Sequence, residues 1–193
     1  PYLKFIFNSD ERIPYFLSIQ NYIDVSPIYK LLKTLIEIAN KKISINEMRE
    51  LLSEKTLQTF FNFNNAEKEE FLLYLIDSGF HWGINRQERF GEYKNTLEWC
   101  IKRFTLGQIY SGDFYLKNTD INSYSPTNSS IDINKWILIL NEIIRIIKSL
   151  RSNNSFRNWI SIFKNIFKNN EIQNDKLNDD INNFYKILED ISG

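Results

Sequence analysis

The sequence predicts a mainly α fold, a multi-helix bundle of about seven helices preceded by a short N-terminal strand pair. Three observations point there. Apolar side chains recur at helical spacing in segment after segment beyond residue 26, and Ser and Asn capping signatures stand just ahead of several of those segments. The chain of 193 residues is also 42% hydrophobic and 15% aromatic, enough apolar surface to offset the entropy lost on folding. One domain is expected, since single cores commonly hold about 100 to 200 residues.

Residues 2–7 and 13–17, rich in aromatics and Ile, read as extended segments separated by the polar turn Asn8-Ser9-Asp10-Glu11. Ser26 followed by Pro27 marks a helix start, after which Ile28, Leu31, Leu32, Leu35 and Ile38 share one face. Ser44 with Glu47 forms a capping signature before Met48, Leu51 and Leu52. A third helix is expected over residues 66–78: Asn64 with Glu67 resembles a cap, Phe71, Leu72, Leu75 and Ile76 make a stripe, and Gly79 supplies a left-handed stop. After a loop rich in rings and charges, Asn95 and Glu98 open a helix through Leu97, Ile101, Phe104 and Ile109, which ends between Gly107 and Gly112 and packs on the helix before it.

Residues 117–130 combine turn formers with almost no aliphatic side chains and read as a loop within the domain. Three further amphipathic helices are expected over residues 136–150, 156–167 and 177–191. The organisation is one helical domain over 1–193: an extended lead segment (1–25), a helical half with the loop of rings and charges (26–112), a flexible loop (113–131) and the C-terminal helices (132–193).

Composition narrows the function. Lys plus Arg and Asp plus Glu both total 24, so the basic excess of a self-sufficient nucleic-acid binder is missing and any such contact has to be local. The single Cys100 cannot form a disulfide within the chain, and with the single His81 it leaves too few ligands for a structural zinc site. A reducing cytoplasm suits this best. Apolar runs are short, Trp136 to Leu140 stopping at Asn141, far short of the roughly 20 residues of a membrane span. Opening at Pro1 without an initiator Met, the chain reads as excised from something longer.

Phosphate hydrolysis by a P-loop needs Gly turns and a Lys in a Gly-x-x-x-x-Gly-Lys-Ser/Thr pattern, which the sequence lacks. Asp179-Asp180 and Glu189-Asp190 are carboxylate neighbours, but adjacent positions point to different helix faces and cannot converge on one atom. His81 has no recognisable nucleophile and orienting acid beside it. The segment is expected to hold no catalytic residue, cofactor or metal.

The stretch Ser78-Gly79-Phe80-His81-Trp82-Gly83-Ile84-Asn85, with Arg89 four residues on, resembles the Ser-Gly-x-x-Trp-Gly-Ile-Asp segment of RecC subunits of the RecBCD recombination enzyme, exodeoxyribonuclease V. At the family's distance beyond it, the run Asn95 to Gly107 is similar to the RecC form Thr-Trp-Arg-Phe-Gly-Leu-x-Arg-x-Leu-Leu-Gly. Residues 13–18 resemble the opening of this region in RecC, and Phe156-Arg157-Asn158-Trp159 its Leu-x-x-Trp helix start. The resemblance implies the middle of RecC, a 2B-like subdomain of an inactive superfamily 1 helicase fold. It implies a non-catalytic scaffold and DNA-channel role beside the RecB and RecD motors, with double- and single-stranded DNA as further partners. In that family the assembled, cytoplasmic enzyme uses ATP and Mg²⁺ to unwind and degrade DNA, recognises Chi, and serves double-strand break repair by homologous recombination. Leu97, Glu98 and Cys100 depart from the family's Trp, Arg and Gly, and Asn85 replaces an acid; an acidic Glu98 would repel a phosphate, so no DNA role is carried to it.

Arg86, Arg89, Lys94, Lys102 and Arg103 form the patch to nominate for phosphate contacts. The plainer alternative is a solvated face with ion pairs such as Arg86 to Glu88 or Glu92, and an internal hydrogen bond from Arg103 to a helix end. Gly79, Trp82, Gly83, Trp99 and Gly107 make the structural motif, with Trp82 expected as a mostly buried wedge between the helices on either side of its turn rather than a stacking platform for a base. Trp136 and Trp159 lie on apolar stripes and should be core. The competing reading is an independent α-helical protein-interaction module without a DNA role.

Overall fold

Side-chain caps decide where most of the helices begin. In a computed structural model that describes residues 26–110, 112–127, 129–152, 156–167 and 175–192, Ser26 accepts a hydrogen bond from the Tyr29 amide at 3.4 Å and opens α1, Pro27–Ala39. Its predicted stripe is buried throughout. Ser44 and Glu47 form the capping box of α2, Ile45–Leu52, with the Ser44 amide donating to Glu47 at 3.0 Å. Asn64 and Glu67 do the same for α4, Asn65–Asp77.

Between them lies α3, Lys55–Phe61, which the sequence reading passed over. It is only seven residues long, and its N-cap residue Glu54 makes no side-chain cap bond, so it has neither a capping signature nor a long periodic stripe. It nevertheless buries Thr56, Leu57 and Phe60. With it, the described residues hold eight helices.

Gly79, at φ +94°, ends α4 as expected: the Phe80 amide reaches the Leu75 carbonyl at 3.1 Å and the Gly79 amide reaches Ile76 at 2.8 Å, a Schellman closure. Ile76, assigned to the stripe, is 44% exposed. The next helix, α5, runs from Leu97–Ile109 and is capped by Thr96, whose hydroxyl accepts from the Trp99 amide at 3.2 Å. Asn95 is not the cap; at φ +65° it turns the chain into the helix. Nor is the preceding helix its main support. The chief partner is α6, Ile133–Arg151, although Phe104 of α5 also meets Phe71 of α4 at 6.0 Å between ring centroids.

α6 organises the core. Asp132 caps it through the Asn134 amide at 2.9 Å, and nine of its side chains are buried, among them Trp136, Ile143 and Ile147. Trp136 stacks on Phe71 at 4.2 Å with 6° between planes, and Phe63 leans on it at 4.9 Å. Around α6 pack α1, α5 and α7, Phe156–Phe167; α8, Asp175–Ser192, lies against α7 and α1. Trp159 of α7, expected in the core, is half-buried against Phe163 at 5.6 Å. At the end of α6, Arg151 donates to the carbonyls of Ala39 (2.7 Å) and Lys41 (2.8 Å) and pairs with Glu88 at 2.5 Å, placing a cation at the C-terminal end of α1 and the turn that follows it.

The described residues contain no strand, only isolated bridges between Ser44 and Trp82 and between Tyr115 and Asn122. The expected strand pair at residues 1–25 lies outside the described residues. The segment expected as a flexible loop, 113–131, is docked on α5: the Tyr124 amide donates to the Arg103 carbonyl at 3.0 Å, Ser125 Oγ to the Gly107 carbonyl at 2.6 Å, and Ile121 and Ser123 are buried. Polar turn formers are held here by backbone bonds that composition does not reveal.

Candidate nucleic-acid interface

The motif loop holds its place through backbone bonds. Gly83, at φ +84°, donates from its amide to the Ile43 carbonyl at 2.7 Å, and its own carbonyl accepts from the Leu97 amide at 2.9 Å; the Ile84 carbonyl accepts from Glu98 at 3.0 Å. The start of α2 and the first turn of α5 are thereby joined through residues 83–84. Trp82 is partly enclosed, less deeply than Trp99. Its indole is half-buried on the flank, with Lys42 at 5.1 Å and Arg89 at 5.2 Å over the ring. Trp99 lies deeper. It is 3% exposed, a Cβ on Gly79 would stand 3.2 Å from its ring, and its indole N–H donates to the Asp120 carbonyl at 3.3 Å.

Two of the five nominated cations are committed inside the fold. Arg103 donates from Nη1 to the Ser78 carbonyl at the end of α4 and from Nε to the Asn122 carbonyl at 3.1 Å, while its guanidinium covers Trp99 at 4.7 Å. Burial lowers its pKa from the ordinary value. The internal hydrogen bond expected as the alternative role of Arg103 is present. Arg89 has a side chain only 10% exposed, packs on Gly83 and Trp82, and donates to Glu92 at 2.8 Å; its Nε and Nη1 are buried without a hydrogen-bond partner.

Arg86, Lys94 and Lys102 remain on the surface, and the fold brings them to one groove of about 770 Å³. Its walls are the turn carrying Arg86, Gly91 to Lys94, the start of α5 with Trp99 and Lys102, and residues 118–121. The Lys102 ammonium lies 4.9 Å over the Tyr93 ring. No ion pair engages Arg86, Lys94 or Lys102 among the described residues; of the two acids on the groove, Glu92 pairs with Arg89, and the other is Asp120. The pairing of Arg86 with Glu88 or Glu92 does not form, because Glu88 turns to Arg151 and Glu92 to Arg89. Tyr93 was not singled out from sequence, since a lone aromatic in a charged loop carries no periodic signal.

The departures from the family pattern have local roles. Asn85 accepts from the Gln87 amide at 3.0 Å and the Glu88 amide at 3.3 Å, so it retains the capping acceptor an acid would supply. Glu98 pairs with Lys148 of α6 at 2.6 Å. Cys100 is buried, and burial pushes its thiol up to about 12, which withholds the thiolate a nucleophile needs. His81 is exposed and takes part through its backbone amide, donating to the Asn95 carbonyl at 3.0 Å. Among the described residues no three His, Cys, Asp or Glu side chains gather as a metal site, and no helix is long and apolar enough to cross a membrane.

No curated protein matches this chain. Residues 25–192 match a family model described as the fourth domain of the RecBCD enzyme subunit RecC, in agreement with the resemblance around Trp82 and Trp99. Because the match spans far more than half of the sequence, the chain belongs to the RecC fourth-domain family.

Proposed function

We propose that this chain acts as a non-catalytic scaffold and DNA-channel part of a cytoplasmic RecBCD-type helicase–nuclease, in double-strand break repair by homologous recombination. The observation that carries this is the family match over residues 25–192. Two features support it. The groove of Arg86, Lys94 and Lys102 offers cations without ion pairs to a phosphate backbone, and the one thiol is buried and held protonated. The eight helices then correspond to a 2B-like subdomain of an inactive superfamily 1 helicase fold, with ATP and Mg²⁺ used by the RecB and RecD partners.

The test is co-expression of the complete chain with its cognate RecB and RecD chains. We expect a stable heterotrimer that unwinds and degrades duplex DNA with ATP and Mg²⁺, and in which Lys94→Ala with Lys102→Ala weakens DNA binding while ATP turnover at saturating DNA is preserved. A complete chain that neither assembles nor supports unwinding would overturn the reading, and loss of ATP turnover at saturating DNA in the double variant would overturn its non-catalytic part.

A further inference from the structure

Phe90 stands where a folded chain gains least from a phenylalanine. Asn85 caps a single turn over residues 86–89, and the Gly91 amide closes it on the Arg86 carbonyl at 2.9 Å. That bond spans five residues, the Schellman pattern, and it puts Phe90 at the left-handed position that glycine normally takes. Its φ is +54°, followed by Gly91 at +98°. For a bulky side chain this is an unfavourable conformation, and burial does not offset it, because Phe90 is 93% exposed. Backbone and solvation both oppose this residue in the isolated fold, so its ring is held out for something beyond it.

We propose that Phe90 is a stacking post for an unpaired base of single-stranded DNA, at the mouth of the groove lined by Arg86, Lys94 and Lys102. The inference rests on the reading of that groove as a DNA-strand site. Arg86 before Phe90 and Gly91 to Lys94 after it line the groove, and Phe90, outside that lining, stands exposed in the turn between them. A flat apolar face beside cations without ion pairs matches a nucleotide, which presents a π-face and a phosphate together. A duplex keeps its base faces stacked inside, so the occupant is a single strand. An apolar protein pocket fits less well: the neighbours of Phe90 in sequence, Arg86, Gln87, Glu92 and Lys94, are all exposed and polar.

The experiment uses the complete chain assembled with its cognate partners and an oligothymidylate carrying 5-iodouracil, irradiated and mapped by peptide. We expect a crosslink at Phe90, a roughly tenfold weaker single-strand affinity for Phe90→Leu, near-parental affinity for Phe90→Trp, and an unchanged salt slope in both, since no charge is altered. Phe90→Gly should lose the same affinity while its melting temperature holds or rises, which separates stacking from a folding defect. Crosslinks on the groove residues without Phe90, together with parental binding by Phe90→Leu, would sink this proposal and leave the groove reading standing. A fully assembled enzyme with no crosslink anywhere in the segment would sink both. If Phe90→Leu prevents assembly with the partner chains, the residue is a protein contact and the proposal is overturned.

Discussion

Gly107 and Tyr124 meet so closely that a side chain at residue 107 is excluded: a Cβ there would stand 2.1 Å from the Tyr124 carbonyl oxygen. Tyr124 is fixed by the hydrogen bond its amide N–H donates to the Arg103 carbonyl, and the adjoining Ser125 by the one its hydroxyl donates to the Gly107 carbonyl. Helix propensity alone would make Gly107→Ala stabilising by about 1 kcal/mol. We expect the reverse, a loss of about 1 to 3 kcal/mol as the 113–125 segment is displaced from α5. Thermal melting checks the sign, and a higher melting temperature would contradict the docked segment.

The two tryptophans of the motif should separate. Trp99→Ala leaves a cavity under Gly79 and removes the bond to Asp120, for a cost of about 3 to 5 kcal/mol. Trp82 is half-buried between two cations, so Trp82→Ala should cost only about 1 to 2 kcal/mol. Paired denaturant titrations decide this, and equal losses would return Trp82 to the role of a buried wedge.

Arg103 joins the end of α4 to the Asn122 carbonyl, a fork that a lysine cannot reproduce. Arg103→Lys should therefore destabilise by about 1.5 to 3 kcal/mol, and Arg103→Gln, which removes the charge, should leave the salt dependence of DNA binding unchanged. A shallower salt slope with parental stability would show that Arg103 meets phosphate after all.

Glu47 reports on the first capping box. The hydrogen bond from the Ser44 hydroxyl, reinforced by the Ser44 amide, holds its carboxyl below the ordinary value. A depressed folded-state pKa means stability that is present above the unfolded value of about 4.3 and is lost as pH falls through the folded value. Glu47→Gln should melt lower than the parent at neutral pH, with the gap closing in acid. A gap independent of pH would contradict the ionic cap.

Elements announced by their own chemistry were legible in the sequence. Ser44 with Glu47, Asn64 with Glu67, and Gly79 each act on neighbours within a few residues, so α2 begins just after its expected cap and α4 runs near its expected bounds. α3 was missed because its burial is tertiary, and Thr96 was passed over for Asn95 because both are cap formers and only the backbone angle separates them. At the site, sequence nearness grouped five cations that the fold then divides. Arg89 and Arg103 turn inward onto Trp82 and Trp99, while Arg86, Lys94 and Lys102 stay out, and that division depends on contacts with residues 118–124 and with the motif loop, distant in sequence from one or the other.

The salt dependence of single-strand binding by the assembled complex, parent beside an Arg86→Ala, Lys94→Ala, Lys102→Ala triple variant, tests most directly whether the groove carries DNA. Each phosphate contact contributes about 0.7 to the slope of log affinity against log salt, so the triple variant should show a slope shallower by about 2 with little change in melting temperature. A slope identical to the parent's, in a complex that assembles and binds DNA, would place the strand elsewhere and contradict this account.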